Sequence, residues 1–188
     1  MVICIVEGIT DSEFLTDLMK ELNVPREQIE FKVFEGKDNI FKTTHKLYDE
    51  IEKDLDIIDS IFITLDADDP KDNCPIRGYT ETEKAINKLI DTLSFEVNID
   101  YYIFSDTKQE GYLESFLLSV LDDTQTKCVN NFKECFTYEL SDKWVYNSFY
   151  KHNKHPFDFS HKNFKELKTK LQTLFKEEIQ WPYSQQST

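Results

Sequence analysis

Four short apolar segments alternate with amphipathic segments in the first two thirds of this chain. The strand-like segments are residues 2–6, 29–34, 60–65 and 99–104. Short, nearly continuous apolar runs of this kind are typical of strands that are covered on both faces of a parallel sheet. Repeated alternation of strand and helix predicts an α/β fold, with an open, mainly parallel four-stranded sheet and helices on both faces.

The helices between these strands are predicted from apolar residues at helical spacing. They cover residues 10–22, 40–55, 81–93 and 112–121. Thr10 and Glu13 have the spacing of a capping box, which predicts that the first helix begins at Thr10.

The strand pattern ends after Asp122-Asp123. We therefore predict an α/β domain over residues 1–122 and an aromatic-rich helical extension over residues 123–188. No Gly- or Ser-rich linker separates them, so we expect the extension to pack on the sheet. Several of its apolar residues have helical spacing and predict a core face: Phe164, Leu167, Leu171, Leu174 and Phe175.

The net charge of −14 argues against a protein that coats nucleic acid with a wide basic surface. Residues 151–178 are the exception, with seven lysines against four acids. This basic segment is the candidate contact for nucleic acid, in which lysines and aromatic rings would neutralise and stack a single strand. The alternative is a solvated helix or one that packs on the core.

The sequence also suggests where the protein acts. It begins directly with a strand pattern, without the features of a signal peptide, and no run approaches the length of a membrane span. The four cysteines form no CxxC pair and no zinc-ligand spacing. We therefore expect a cytoplasmic protein with reduced thiols and no membrane partner.

Acidic residues follow two of the predicted strands. Glu7 comes after the first strand, and Asp66 and Asp68 come after the third. Ligand sites of open parallel sheets lie beyond the carboxyl ends of the strands, so these carboxylates are expected to meet there. Extended geometry would point Asp66 and Asp68 to the same side, where hard oxygen donors suit Mg²⁺ or Mn²⁺. The alternative is that the Asp-Ala-Asp-Asp-Pro stretch is simply a turn.

The combination of these motifs resembles the Toprim family. The matching residues are Val6-Glu7-Gly8 with Thr10-Asp11, and Leu65-Asp66-Ala67-Asp68, about 60 residues further along. That family is shared by type IA and type II topoisomerases, primases, OLD-family nucleases and small RNA-maturation nucleases. The resemblance covers roughly residues 1–122, and the chain looks most like small stand-alone bacterial Toprim-like proteins.

The resemblance implies a role for each matching acid. Glu7 would act as general acid or base, or as a metal ligand, and Asp66 and Asp68 would hold Mg²⁺ or Mn²⁺. Glu114 of a Gly-x-Leu-Glu element is a further candidate ligand, with an acid at a helix N-terminus as the alternative. Gly8, Asp11 and Gly111 are expected to support the site.

Other polar residues are weaker candidates. Lys37 follows the second strand and is a candidate for phosphate binding, with an exposed loop lysine as the default. Asp69 and Asp106 are possible additional acids. A set of His152, His155 and His161 with Asp158 suggests a metal site, but the surrounding Lys, Asn and Pro residues are more typical of a solvated loop.

The leading functional hypothesis is Mg²⁺-dependent phosphodiester hydrolysis of DNA or RNA. It follows by elimination, because 188 residues accommodate neither the strand-passing module of a topoisomerase nor the template-binding parts of a primase. Two alternatives stay open: a non-enzymatic regulatory module that binds a protein partner, and a hydrolase of a small phosphorylated molecule.

Overall fold

The computed structural model describes residues 1–69, 75–106, 109–149 and 158–175. Its strands are β1 (Val2–Val6), β2 (Ile29–Val33), β3 (Ser60–Asp66) and β4 (Asn98–Phe104). Its α-helices are α1 (Ile9–Glu21), α2 (Lys37–Ile40), α3 (Lys46–Lys53), α4 (Tyr79–Leu93), α5 (Leu113–Leu118), α6 (Asp123–Glu134), α7 (Asp142–Phe149) and α8 (Lys165–Leu174). Single 3₁₀ turns lie at Arg26–Gln28, Leu55–Ile57 and Lys162–Phe164.

The strands form a four-stranded, entirely parallel sheet in the order β2-β1-β3-β4. Val2 of β1 is paired with Ile29 on one side and with Ser60 on the other. The chain moves outward from β1 to β2, then returns to the centre and moves outward from β3 to β4. The strand order therefore reverses between β1 and β3, and in open α/β sheets such a switch point is where ligands bind. The predicted fold class is confirmed.

The side chains of β1 alternate between two hydrophobic cores, one on each face of the sheet. Val2, Cys4 and Val6 face one core, and Ile3 and Ile5 face the other. The second core is closed by buried residues of α2, α3 and α4, namely Ile40, Tyr48, Ile51, Ile86 and Leu89. Both faces of β1 are thus removed from water, which accounts for its continuous apolar sequence.

The first core joins α1 and α5 to the helices near the end of the chain. Its buried members include Phe14, Phe116, Tyr146 and Phe164, together with Leu167, Leu171 and Phe175. The prediction of a core face at helical spacing over residues 164–175 is confirmed at these positions. The described part of the helical extension therefore completes the same core as β1.

Two predicted helix boundaries were wrong. The predicted helix over residues 40–55 is two helices, because α2 ends at Ile40 and α3 begins at Lys46. His45 caps α3, and its Nδ1 accepts a hydrogen bond from Leu47 N. The first helix is capped at Gly8 and not at Thr10, since the side chain of Asp11 accepts a hydrogen bond from Gly8 N.

The structure bears on two expectations about the environment of the protein. Within the described residues, no helix has both the length and the apolar character that crossing a membrane requires. Cys4 is buried, Cys128 and Cys135 are exposed, and all three are free thiols. Cys74 lies outside the described residues.

Replacing Phe164 with Ala tests whether the helical extension stabilises the sheet. The Phe164 side chain is fully buried, and its ring centroid lies 5.3 Å from that of Phe116 and 6.2 Å from that of Phe14. We expect Phe164→Ala to lower the free energy of unfolding in urea by about 3 to 5 kcal/mol, since it leaves a cavity in the core. The matched control is Tyr138→Ala, because Tyr138 is 63% exposed and its loss should cost much less. Equal losses in the two variants would contradict this account.

Candidate functional site

A cavity of about 310 Å³ opens at the carboxyl ends of β1 and β3. Five acidic side chains line it, together with one lysine: Glu7, Asp11, Glu35, Asp66, Glu114 and Lys143. These residues come from the ends of β1, β2 and β3 and from α1, α5 and α7. The cavity therefore lies at the switch point of the sheet and carries a strong excess of negative charge.

Glu7 and Asp66 are fixed at the centre of this site by backbone hydrogen bonds. Glu7 Oε1 accepts from Asp66 N at 2.8 Å, which ties the end of β1 to the end of β3. Asp66 Oδ1 accepts from Leu113 N, also at 2.8 Å, which ties β3 to the start of α5. The structure thus brings together the two strand-end acids that the sequence predicted would meet.

Asp11 and Glu114 are the more deeply buried acids of the cavity. Asp11 is 7% exposed, and its Oδ2 accepts from Gly8 N at 2.9 Å. Gly8 has an ordinary extended backbone (φ −141°), so its value lies in space: an added Cβ would be 3.3 Å from Asp11 Oδ2. Glu114 is 5% exposed and accepts no hydrogen bond from the described part of the chain.

Asp68 does not share the position of Asp66. Strand β3 ends at Asp66, and Asp68 has a left-handed backbone (φ +65°), so the rule that alternate residues of a strand point the same way no longer applies. Asp68 Oδ2 instead accepts a hydrogen bond from Lys37 Nζ at 2.6 Å, and Asp68 is not among the residues that line the cavity. The expectation that the two aspartates face the same side was wrong.

Lys37 is not an exposed loop residue. It is only 8% exposed and begins α2. Besides Asp68, its Nζ contacts Asp66 O at 2.7 Å and Thr82 Oγ1 at 2.9 Å. Since an ammonium group has three donors, these contacts leave none directed at a phosphate in this arrangement.

Gly111 supports the loop that follows β3 through backbone hydrogen bonds with Asp68. Asp68 N donates to Gly111 O at 2.8 Å, and Gly111 N donates to Asp68 O at 3.2 Å. Gly111 has φ +109°, a conformation that other residues rarely adopt. Its predicted supporting role therefore has a structural basis, because it holds the loop that follows β3.

Burial shifts the protonation of Glu7. Loss of water around the charged form, with added repulsion from Asp11 and Asp68, raises the pKa of Glu7 to about 7. The hydrogen bond from Asp66 N and the charge of Lys37 act in the opposite direction. Glu7 is therefore divided between its acidic and basic forms near neutral pH.

The pKa values of two neighbouring acids are raised for the same reason. Burial, with repulsion from Glu114, raises the pKa of Asp11 to about 6, against the hydrogen bond from Gly8 N and the charge of Lys143. Burial raises the pKa of Asp66 well above its ordinary range, with further contributions from Glu7 and Asp11. The cluster thus holds more carboxylates than it can easily keep charged at once.

The donor chemistry of the cluster fits a hard divalent cation. Carboxylate oxygens are the ligands that Mg²⁺ and Mn²⁺ prefer, and such a cation would relieve the repulsion that raises these pKa values. As placed, however, no three His, Cys, Asp or Glu side chains among the described residues are close enough to ligate one ion together. Binding would therefore require the side chains of Asp66 and Glu114 to move closer together.

The remaining candidate site residues that the structure describes do not line the acidic cavity. Asp69 and Asp106 line a neighbouring cavity of about 490 Å³. His152 and His155 lie outside the described residues, whereas His161 caps a 3₁₀ turn by accepting from Asn163 N, and Asp158 accepts from Ser160 N. The described members of the histidine set therefore have local structural roles.

Sequence reasoning missed Lys143 and Thr82. Lys143 lies in α7 and lines the acidic cavity, and Thr82 lies in α4 and receives a hydrogen bond from Lys37. Neither residue follows a strand or belongs to a motif. Only the packing of distant helices brings them to the site, so the sequence contains no local signal for either.

Comparison with known proteins places the chain in a family. A family model described as protein of unknown function (DUF3226) matches residues 1–173. The chain belongs to this family. The DUF3226 match includes the whole sheet and most of the described helical extension, so the cavity and Lys143 both lie within it. No curated protein and no solved structure matches the chain. The resemblance to the Toprim family stays a prediction.

The raised pKa of Glu7 predicts how the stability of the metal-free protein depends on pH. Between the ordinary value of 4.5 and about 7, folded Glu7 holds a proton that the unfolded chain has released. The contribution of Glu7 to the free energy of unfolding should therefore be highest below this range, fall as pH rises through it, and level off above it. Urea denaturation in the presence of a chelator, below pH 4.5 and above pH 7, measures the difference.

Glu7→Gln is the informative variant for this prediction. Glutamine keeps the size of the side chain and its acceptor oxygen but has no proton to release. We expect the variant to show a smaller fall in stability over the same pH range, with Glu52→Gln at an exposed position as the matched control. An unchanged pH dependence in Glu7→Gln would refute the assignment of the shift to Glu7.

Proposed function

We propose that this protein is a Mg²⁺- or Mn²⁺-dependent phosphodiester hydrolase of nucleic acid, with the acidic cavity as its active site. One observation carries the proposal: five acidic side chains against one lysine line a single cavity at the switch point of the sheet. Close carboxylates repel one another strongly in a partly buried site, so such a cluster requires protons or a cation. Its position agrees with the Toprim resemblance of Glu7 and Asp66.

Asp66 and Glu114 are the residues that would hold the cation. When bound, a divalent ion polarises a phosphoryl group, neutralises charge that develops on its oxygens and lowers the pKa of water. Asp66 is held for this role through Leu113 N. Glu114 is 5% exposed and lines the same cavity.

Glu7 is suited to act as general base. Its Oε1 is held by Asp66 N, and its second oxygen receives no hydrogen bond from the described residues. It would accept a proton from the attacking water as the water oxygen bonds to phosphorus and the ester oxygen leaves. A general base works best when its pKa lies near the working pH, and in the metal-free protein burial raises the pKa of Glu7 to about 7.

Lys143 would contact the non-bridging oxygens of the substrate. It is exposed at its position in α7 and lines the same cavity as the acids. Its positive charge would offset the repulsion between a phosphate and the carboxylates. The helical extension would thus contribute directly to substrate binding.

A second candidate is hydrolysis of a small phosphorylated molecule. Two of the four described lysines of the basic segment are engaged within the protein, since Lys170 Nζ pairs with Asp100 at 2.7 Å and Lys168 Nζ donates to Phe159 O at 3.3 Å. With one lysine at the cavity and a net charge of −14, the surface attracts polyanions weakly. A small substrate needs no basic groove.

Cleavage assays with matched variants test the proposed activity. Mg²⁺ or Mn²⁺ should support cleavage of labelled single- or double-stranded oligonucleotides, and a chelator should stop it. Glu7→Gln should lower kcat by about 10²- to 10⁴-fold, because it removes a general base. Asp66→Asn should also abolish measurable turnover, since it removes a cation ligand.

The controls are Glu52→Gln and Asp91→Asn, which make the same chemical changes at exposed positions and should leave activity intact. Hydrolysis of a model phosphodiester without cleavage of oligonucleotides would favour the small-molecule substrate. Full activity in both Glu7→Gln and Asp66→Asn would refute the active-site assignment.

A further inference from the structure

The ammonium group of Lys37 lies among oxygen atoms of the loop that follows β3 and of α4. Its Nζ contacts the carbonyl oxygen of Asp66, a carboxylate oxygen of Asp68 and the hydroxyl of Thr82, at 2.7, 2.6 and 2.9 Å. Ala67 O is also 3.5 Å away. Thr82 is fully buried, and Lys37 is 8% exposed. A buried cation with oxygen neighbours is therefore already part of the protein.

The two aspartates of the Asp-Ala-Asp motif are divided between this lysine and the cavity. The carboxylate of Asp66 is held by Leu113 N and lines the cavity. The carboxylate of Asp68 contacts Lys37 Nζ, and the Asp68 side chain is 16% exposed. The two carboxylates of the motif therefore have different partners.

The arrangement of Asp68 is held by its backbone as well as its side chain. Asp68 and Gly111 exchange two backbone hydrogen bonds, and Asp68 adopts φ +65°. Turning its carboxylate towards the cavity would break the ion pair and leave the Lys37 ammonium buried without its counter-charge. Removing one partner from a buried ion pair is strongly unfavourable. Asp68 is therefore not available to a cation that enters the cavity.

We propose that Lys37 serves as a permanent, protein-supplied cation that takes the place of a second metal ion. It neutralises Asp68 and contacts the carbonyl oxygens of Asp66 and Ala67, and so leaves the carboxylate of Asp66 to a single divalent cation. Lys37 is then a positioning residue and not a phosphate ligand. The inference rests on the proposed function only in requiring that the cavity binds a divalent cation.

Counting bound Mn²⁺ by electron paramagnetic resonance tests this proposal without an activity assay. The wild-type chain should bind one Mn²⁺. Asp68→Asn should keep that ion with its Kd changed by less than about tenfold, which is the effect expected of a nearby charge rather than a lost ligand. Asp66→Asn, the matched variant two residues away, should weaken binding by more than about tenfold.

The double variant Lys37→Met with Asp68→Leu provides a second measurement in case the single variant folds poorly. It removes both charges of the buried pair, a change that proteins often tolerate. It should retain one Mn²⁺ with nearly wild-type affinity. Circular dichroism and thermal melting would verify that each variant is folded.

Three results would overturn the inference, and two of them would leave the proposed function standing. Two Mn²⁺ ions in the wild type, or loss of binding in Asp68→Asn and in the double variant equal to that in Asp66→Asn, would refute the role of Lys37 while leaving a metal-dependent site intact. No Mn²⁺ binding by the wild type would refute both the inference and the proposed function.

Discussion

Repulsion between buried carboxylates at the meeting point of β1 and β3 is the constraint on which the structure of this site depends. Glu7 and Asp66 are placed there by the parallel register of the sheet, and Asp11 and Glu114 are added by the helices that follow. Each charge is costly to bury alone. The site is held together by backbone N–H groups, which bind Glu7, Asp11 and Asp66, and by the charge of Lys37.

The loop after β3 organises these compensating contacts. Asp66 connects β3 to α5, and Asp68 connects the same loop to α2 through Lys37 and to Gly111 through the backbone. The same three-residue stretch thus carries one charge that is left to the cavity and one that is neutralised inside the protein. This division explains how a strongly acidic region folds without every acid facing water.

The sequence predicted the sheet and the meeting of Glu7 with Asp66, because strand ends of a parallel sheet lie at the same edge whatever the packing of the helices. It failed for Asp68, since the backbone leaves the strand at Ala67 and the two-residue period is lost. It also failed for Lys37, because a lysine after a strand is usually exposed, and the oxygen atoms that bury this one come from β3 and α4.

The contribution of late helices to the core of β1 has a consequence for synthesis on the ribosome. Val2 and Cys4 belong to the same hydrophobic core as Phe164 and Leu171, although more than 150 residues separate them. Part of one surface of the nascent sheet therefore stays uncovered until the segment that carries Phe164 and Leu171 emerges. Proteins translated in this order are exposed to association between unfinished chains, and chaperones that shield apolar surface would act during that interval.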